Sequence, residues 1–216
     1  MVLSINAATT SITNVIIYLL PMLLIPDSSY RPPLLFTSGH LQTIYPSLMR
    51  KLSPDLYHRE RIETPDDDFL DLDWARVGSE RLAILSHGLE GSTYRQYMIG
   101  MARMMNRHGW DALAWNYRGC SGEINRQLRM YHNGSIDDLD CVVRHALKTG
   151  AYGTVALIGF SLGGNLTLVY LGSMRDALDS RIAKAVTFSV PCDLAAGARE
   201  LAKRKNWFYM RQFLVS

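Results

Sequence analysis

The sequence predicts an α/β domain with a mostly parallel sheet and an N-terminal hairpin, and three observations carry that prediction. From residue 82 onward, short apolar runs of strand length alternate with longer stretches of helical period, the pattern of strands joined by crossover helices. One of these strands, at 155–158, runs directly into Gly159-Phe160-Ser161-Leu162-Gly163, a G-x-S-x-G turn that is followed by an apolar helix. Ahead of residue 82 the period changes to two. The runs 58–63 and 69–77, separated by Thr64-Pro65-Asp66-Asp67-Asp68, read as an antiparallel hairpin.

A chain of 216 residues with 48% hydrophobic content suits one domain with a buried core. The net charge of +3 is spread along the chain, and its one cationic cluster, Lys203-Arg204-Lys205, is short, which argues against a nucleic-acid surface. Cys120, Cys141 and Cys192 are odd in number and lack C-x-x-C spacing. They suggest neither a disulfide framework nor a zinc site, and the cytoplasm is the simpler compartment. No metal or organic cofactor is implied.

Residues 1–26 form an apolar N-terminal extension with no charged side chain before Asp27. The wholly apolar part, 15–25, is shorter than the roughly 20 residues of a membrane span and contains Pro21, so a span would have to recruit the small polar residues 5–14. A basic n-region and a small-residue cleavage site, the marks of a secretory signal, are not evident. Three readings stay open: an anchor giving membrane association through residues 5–25, a signal peptide, or a non-native or poorly ordered extension. Residues 27–216 are expected to form the domain.

Residues 27–54 mix prolines and aromatics (Tyr30, Pro32, Pro33, Phe36, Tyr45, Pro46) and read as an extended arm anchored by its rings. The strand at 69–77 alternates Phe69, Asp71, Asp73 and Ala75 with Leu70, Leu72, Trp74 and Arg76, which predicts a half-buried strand at a sheet edge. The acidic run 66–68 is expected to be a solvated turn, since a cation loop needs further oxygen ligands at fixed offsets. A strand at 82–85 leads into His87-Gly88-Leu89-Glu90-Gly91. The helix predicted at 92–108 has a methionine-rich apolar face and stops at Gly109. A strand at 112–116 leads into Tyr117-Arg118-Gly119-Cys120-Ser121-Gly122. The next helix has Ser135 as N-cap, Asp138 in capping-box position, and Arg144, His145 and Lys148 near its C-terminal end. After the serine turn and its helix come a strand at 182–190, then Pro191-Cys192-Asp193, then a helix at 194–204.

Loops that follow consecutive parallel strands share one rim of the sheet, where ligands bind in such architectures. Ser161 is the candidate nucleophile: Gly159 and Gly163 leave the room that a strained turn requires. The amide of Leu162, in the first helical turn, can face a developing oxyanion. The second donor should come from the loop two strands earlier, and the Leu89 N–H is the candidate. His87 reads as an orienter of that loop rather than a base.

The motifs GHLQTIYP (39–46), HGLEG (87–91), NYRGCSGEINR (116–126), YHNGSIDDL (131–139) and GFSLGGN (159–165) together give a specific resemblance. The chain resembles the α/β-hydrolases, in the branch of the bacterial predicted esterases of the YheT type, the medium-chain ethyl ester synthase/esterases and the α/β-hydrolase-domain lipases. The resemblance implies a serine carboxylic-ester hydrolase acting on a small-molecule ester or lipid, with Ser161 as nucleophile and Leu89 and Leu162 as oxyanion donors. It also suggests Met22 as a possible true start, which would make the extension an artefact. In this fold the acid and histidine follow the serine in the chain, and no histidine follows His145. The sequence therefore reads as a hydrolase whose last strands, acid and base are missing. Asp193, after the strand that follows the nucleophile strand, is a possible acid, and His132 is a possible substitute base. Without its last strands the sheet is expected to keep an open, hydrophobic edge after residue 190. The alternative to an enzyme is a catalytically silent fragment, or a remnant that binds apolar ligands without turning them over.

Overall fold

The computed structural model describes residues 2–4, 29–150 and 152–215. The chain divides into two compact units, one of Met1–Ile5 with Leu52–Ser216 and the other of Asn6–Lys51. The stretch 5–28, where the anchor, the signal peptide and the alternative start would lie, falls outside the described residues. Among the described residues no helix is long and apolar enough to cross a membrane.

The larger unit is a seven-stranded sheet flanked by helices. Its strands are β1 (Val2–Ser4), β2 (His58–Thr64), β3 (Asp68–Ala75), β4 (Arg81–Ser86), β5 (Asp111–Trp115), β6 (Thr154–Phe160) and β7 (Ile182–Phe188), in the order β1-β7-β6-β4-β5-β3-β2. β4 pairs in parallel with both β5 and β6, and β6 with β7, while β2, β3 and β1 run antiparallel to their neighbours. The edge of β7, expected to be open, is covered: Val2 stands opposite Val186 and Ser4 opposite Lys184. Three residues carry no periodicity that could announce a strand, and only the template of β7 reveals one.

The two faces of the sheet follow from the period of two along each strand. Leu82 and Ile84 of β4 and Leu113 and Trp115 of β5 belong to the core beneath α3 (Ile136–Thr149) and α4 (Leu162–Met174), where Leu139, Val142, Val143, Leu166 and Tyr170 are buried. Ala83 and Leu85, with Ala112 and Ala114, face the other way, toward Met98 and Ala102 of α2 (Gln96–Arg107). Alanines on that face let the helix approach closely, and unbranched methionines fill the irregular gaps. The helix starts at Gln96, four residues later than the sequence predicts, because 92–95 are spent on a turn that closes with Arg95 N–H donating to Ser92 O. It ends before Gly109, at φ +70°, as expected.

Several expectations are corrected. β3 lies inside the sheet, between β2 and β5, and is buried along its whole length. Its alternating aspartates suggested a solvent face, but Asp71 and Asp73 stand directly opposite Arg61 and Arg59 of β2, which reach them in bidentate pairs at 2.7–2.9 Å. The edge strand on that side is β2. The acidic turn is not simply solvated either: Asp68 is fully buried and, with Asp66, holds the Arg118 guanidinium. Residues 27–54 are not wholly extended. In the smaller unit Leu34–Phe36 form a 3-10 turn and Gly39–Met49 form α1, with the Phe36 and Tyr45 rings edge to face at 4.9 Å. The helical spacing of Leu41, Ile44, Tyr45 and Leu48 is masked in the sequence by Pro46, which at this position removes one intrahelical donor without ending the helix. Beyond β7 the predicted 194–204 helix resolves into α5 (Leu194–Leu201), a 3-10 turn at Arg204–Asn206 and α6 (Trp207–Val215).

Candidate active site

Because β4 to β7 are parallel, the loops after them reach one rim, and backbone strain concentrates there. Among the described residues five non-glycines have positive φ, and three of these follow β4, β6 and β7: Glu90 at +51°, Ser161 at +52° and Ser189 at +51°. Each such residue costs on the order of 1–3 kcal/mol and persists only where its surroundings over-determine it.

At Ser161 the surroundings are unusually tight. The residue has φ 52° and ψ −115° and joins the end of β6 to the start of α4. A Cβ on Gly159 would lie 2.4 Å from Gly163 O, and one on Gly163 would lie 2.4 Å from both Ser86 O and His87 O. Only glycine fits at either position, so β6, α4 and the end of β4 close on one another around the turn. The Ser161 amide is spent on Phe188 O of β7 at 2.8 Å, and its carbonyl accepts from Asn165 N–H at 3.0 Å. The next amide, that of Leu162, begins a helix and carries no hydrogen bond among the described residues, as helix first-turn donors do without a cap.

The loop after β4 is pinned from three sides by tyrosines. Gly88 N–H donates to the Tyr97 hydroxyl at 2.9 Å, and Glu90 N–H donates to the Tyr131 hydroxyl at 2.9 Å. Tyr131 in turn donates to Glu90 Oε1 at 2.7 Å, and Gly91 N–H donates to Gly88 O at 3.1 Å. The amides of Gly88, Glu90 and Gly91 thus have acceptors, and the Leu89 amide between them has none among the described residues. Gly88 packs on the serine turn: a Cβ there would be 3.3 Å from Ser161 Cβ. The third tyrosine, Tyr117, donates its hydroxyl to His87 O at 3.0 Å and stacks on Tyr131 at 4.9 Å. Tyr117 and Tyr131 lie in the sequence motifs and Tyr97 in the helix predicted at 92–108, but nothing in their spacing marks their hydroxyls as acceptors for, or braces of, this loop.

His87, expected to orient this loop, is in contact with it. It is fully buried, with Nδ1–H donating to Gly88 O at 2.7 Å and Nε2 accepting from Tyr117 N–H at 3.3 Å. A carbonyl can only accept, which sets the tautomer, and burial pushes the imidazole down to about 4, so the ring is neutral at physiological pH. Both nitrogens are occupied. His132 accepts from Gly134 N–H on Nδ1 at 3.0 Å, and His145 pairs with Glu60 at 3.0 Å. Asp193 caps α5, accepting from Ala196 N–H at 2.8 Å. The structure therefore brings Ser161, Leu162 and the Leu89 loop together, and engages His132 and Asp193 elsewhere. Cys120, the other nucleophilic side chain near this loop, has its thiol pushed up to about 11 by burial and stays protonated.

The loop after β5 is held by charge. Arg118, almost fully buried, uses its whole fork: Asp138 takes Nε and Nη2 at 3.0 and 2.7 Å, Asp68 takes Nη1 at 2.8 Å, and Asp66 takes Nη1 and Nη2 at 2.8 and 3.1 Å. The Arg118 hydrogen bonds hold the Asp66 carboxyl down at about 2. Asp138 is consequently unavailable for a capping box. Ser135 does occupy the N-cap of α3, but its hydroxyl accepts from His132 N–H at 3.1 Å instead of capping the helix.

Residues 79–214 match the family described as serine aminopeptidase, S33 (Hydrolase_4). The chain is similar to YheT, a predicted esterase of Escherichia coli (strain K12), at 33% identity over 183 residues, covering 83% of this chain and 53% of that protein. It is also similar to human phospholipase ABHD3, at 26% identity over 197 residues, covering 87% of this chain and 48% of that one. The chain spans about half the length of these curated relatives. Among solved structures, the esterase Pf2001 of Pyrococcus furiosus shares the fold with a TM-score of 0.60 at 23% identity, over 76% of this chain and 63% of that one.

Proposed function

This chain belongs to the α/β-hydrolase family described as serine aminopeptidase, S33, and on that premise we propose that it is the nucleophile-bearing part of a serine carboxylic-ester hydrolase. The observation that carries the reading is the pairing of a strained Ser161 with two amides, of Leu162 and Leu89, that have no acceptor among the described residues, on a rim where the neighbouring donors of the Leu89 loop do. Donors left unpartnered beside a nucleophile are pre-organised for negative charge that exists only in the transition state.

In this mechanism Ser161 Oγ attacks the ester carbonyl carbon and its proton passes to a general base. The carbonyl oxygen becomes an oxyanion held by the Leu89 and Leu162 N–H groups. Collapse of the tetrahedral adduct expels the alcohol, which takes up the proton, and water then releases the acid and frees Ser161. Small esters and lipids are the substrate class, in line with the esterase and phospholipase names of the relatives.

A second reading, binding of apolar ligands without turnover, is favoured by one observation. His87, His132 and His145 all direct ring nitrogens to partners other than Ser161. A serine without a base retains only what the oxyanion hole and binding supply, several orders of magnitude below a complete site. The test is labelling by a fluorophosphonate probe together with p-nitrophenyl butyrate hydrolysis, on the 216-residue chain and its Ser161→Ala variant. Labelling and turnover that vanish in Ser161→Ala support the hydrolase. A folded chain in which neither occurs leaves the binding reading.

A further inference from the structure

β2 closes one side of the sheet: among the described residues it pairs with β3 and with no other strand. The direction of its main-chain groups follows from its neighbours. Asn116 N–H donates to Asp71 O at 3.0 Å, so Asp71 turns its main-chain groups toward β5, and alternation along β3 turns those of Leu70, Leu72 and Trp74 toward β2. Their partners across the ladder are Ile62, Glu60 and His58. The N–H and C=O groups of Arg59, Arg61 and Glu63 therefore point away from the sheet, and they carry no hydrogen bond among the described residues. All three residues are exposed.

Such an edge is a template for another strand, and its own charges select which strand fits. When two copies of β2 meet antiparallel through their outward residues, a two-fold axis at Glu60 sets Arg59 against Arg61 twice. An axis at Arg61 brings two guanidinium groups face to face, and one at Glu63 does the same with two carboxylates. Like charges directly opposite are destabilising. An axis at Ile62 opposes unlike charges instead: Arg61 of each copy meets Glu63 of the other, and Ile62 meets Ile62 on the second face. The groups needed are in place. Arg61 gives Nε and Nη2 to Asp71 and Glu123, with Nη1 left over, and the Glu63 carboxylate, held by Arg126, has lone pairs to spare. Beside Ile62 a groove of about 580 Å³ separates β2 from α3, lined also by Pro65, Cys141 and Lys148, and leaves room for the second isoleucine. We propose that β2 is a homotypic docking edge, on which a second copy of this chain continues the sheet in antiparallel register about Ile62. The inference does not depend on the hydrolase reading. Each Arg61–Glu63 pair exchanges two main-chain hydrogen bonds. A contact of one short strand is at the small end of specific interfaces, so micromolar dissociation is expected.

The experiment is sedimentation equilibrium of the full chain from about 1 to about 300 μM. A species of twice the 24.4 kDa of one chain is expected to form within that range. Glu63→Lys sets a cation opposite Arg61, and Glu63→Pro removes an outward N–H that β3 does not use. Each should weaken the dimer about tenfold or more, and the neutral Glu63→Gln about threefold. Circular dichroism checks that the variants fold. A second measurement needs no variant: in residue-resolved hydrogen exchange of the parent chain, the Arg61 and Glu63 amides should slow as concentration rises. A monomer across the whole range would overturn the proposal. So would a dimer that Glu63→Lys and Glu63→Pro both leave unchanged, which would place the contact on another surface, or Arg61 and Glu63 amides that exchange equally fast at both ends of the range.

Discussion

Leu89 and Arg118 sit on the loops after two neighbouring strands of one rim, and their polar groups are treated in opposite ways. Around Leu89 the amides on either side are given to tyrosine hydroxyls and the one between has no acceptor among the described residues. Around Arg118 the guanidinium finds acceptors for its whole fork, in three carboxylates drawn from the β2–β3 turn and from α3. The first loop is braced mainly by tyrosine hydroxyls, with the Arg95 guanidinium donating to Glu90 O at 2.8 Å. The second is buried and saturated, as a structural ion cluster must be if desolvation is to be offset. Strain and an open donor mark a place that can do chemistry; a closed hydrogen-bond inventory marks a place that holds the fold.

The comparison can be broken most severely at the point where the first loop meets the serine turn. Gly163→Ala drives a Cβ into the Ser86 and His87 carbonyls at 2.4 Å, and a loss of about 3 kcal/mol or more is expected, read as a fall in the urea midpoint or as insoluble protein. Arg118→Met leaves Asp68 and Asp138 buried without their cation, at a cost of roughly 3–5 kcal/mol at neutral pH. Because Arg118 depresses the Asp66 carboxyl, the stability it provides is present above the ordinary carboxylate range and lost as pH falls toward 2. The variant should therefore show a shallower acid-side decline than the parent in urea titrations at stepped pH.

His87 sharpens the contrast by pH. Its folded value near 4 lies below the unfolded 6.5, so the unfolded chain binds the extra proton, and stability present above 6.5 is lost as pH falls toward 4. The loss amounts to roughly 3 kcal/mol by pH 4. His87→Gln should remove this segment of the pH–stability curve, and an unchanged slope would show that the ring is not neutral in the fold. The smallest effect is expected for Tyr131→Phe, which deprives the Glu90 amide and carboxylate of one hydroxyl for about 1–2 kcal/mol. Thermal unfolding measures that cost. If the tyrosine braces the open amide, fluorophosphonate labelling of Ser161 slows by more than the stability change accounts for.

Much of this was legible in the chain. The strand-turn-helix around Ser161, the parallel order of 82–188 and the rim it creates follow from periodicities of 2 and 3.6 interrupted by glycine. The burial of His87 was legible as well, since a histidine that directly follows a buried strand has a core to enter. Where local reading failed, a partner distant in sequence had intervened. Asp138 has capping-box spacing from Ser135 but is taken by Arg118, 20 residues away. Asp71 and Asp73 alternate as solvent residues do, yet β2 brings arginines to them in register. The short strand Val2–Ser4 exists only against β7.

The sheet's direction of winding, the glycines that only a tight turn can use, and the serine at its apex could all be read along the chain, because each is set by steric rules acting over a few residues. Tertiary packing decided which amide of the Leu89 loop has no acceptor among the described residues and which carboxylates are buried. Those outcomes depend on hydrogen-bond partners and packing neighbours 20 to 60 residues apart, and a linear reading does not show which of several competing groups reaches a given donor first.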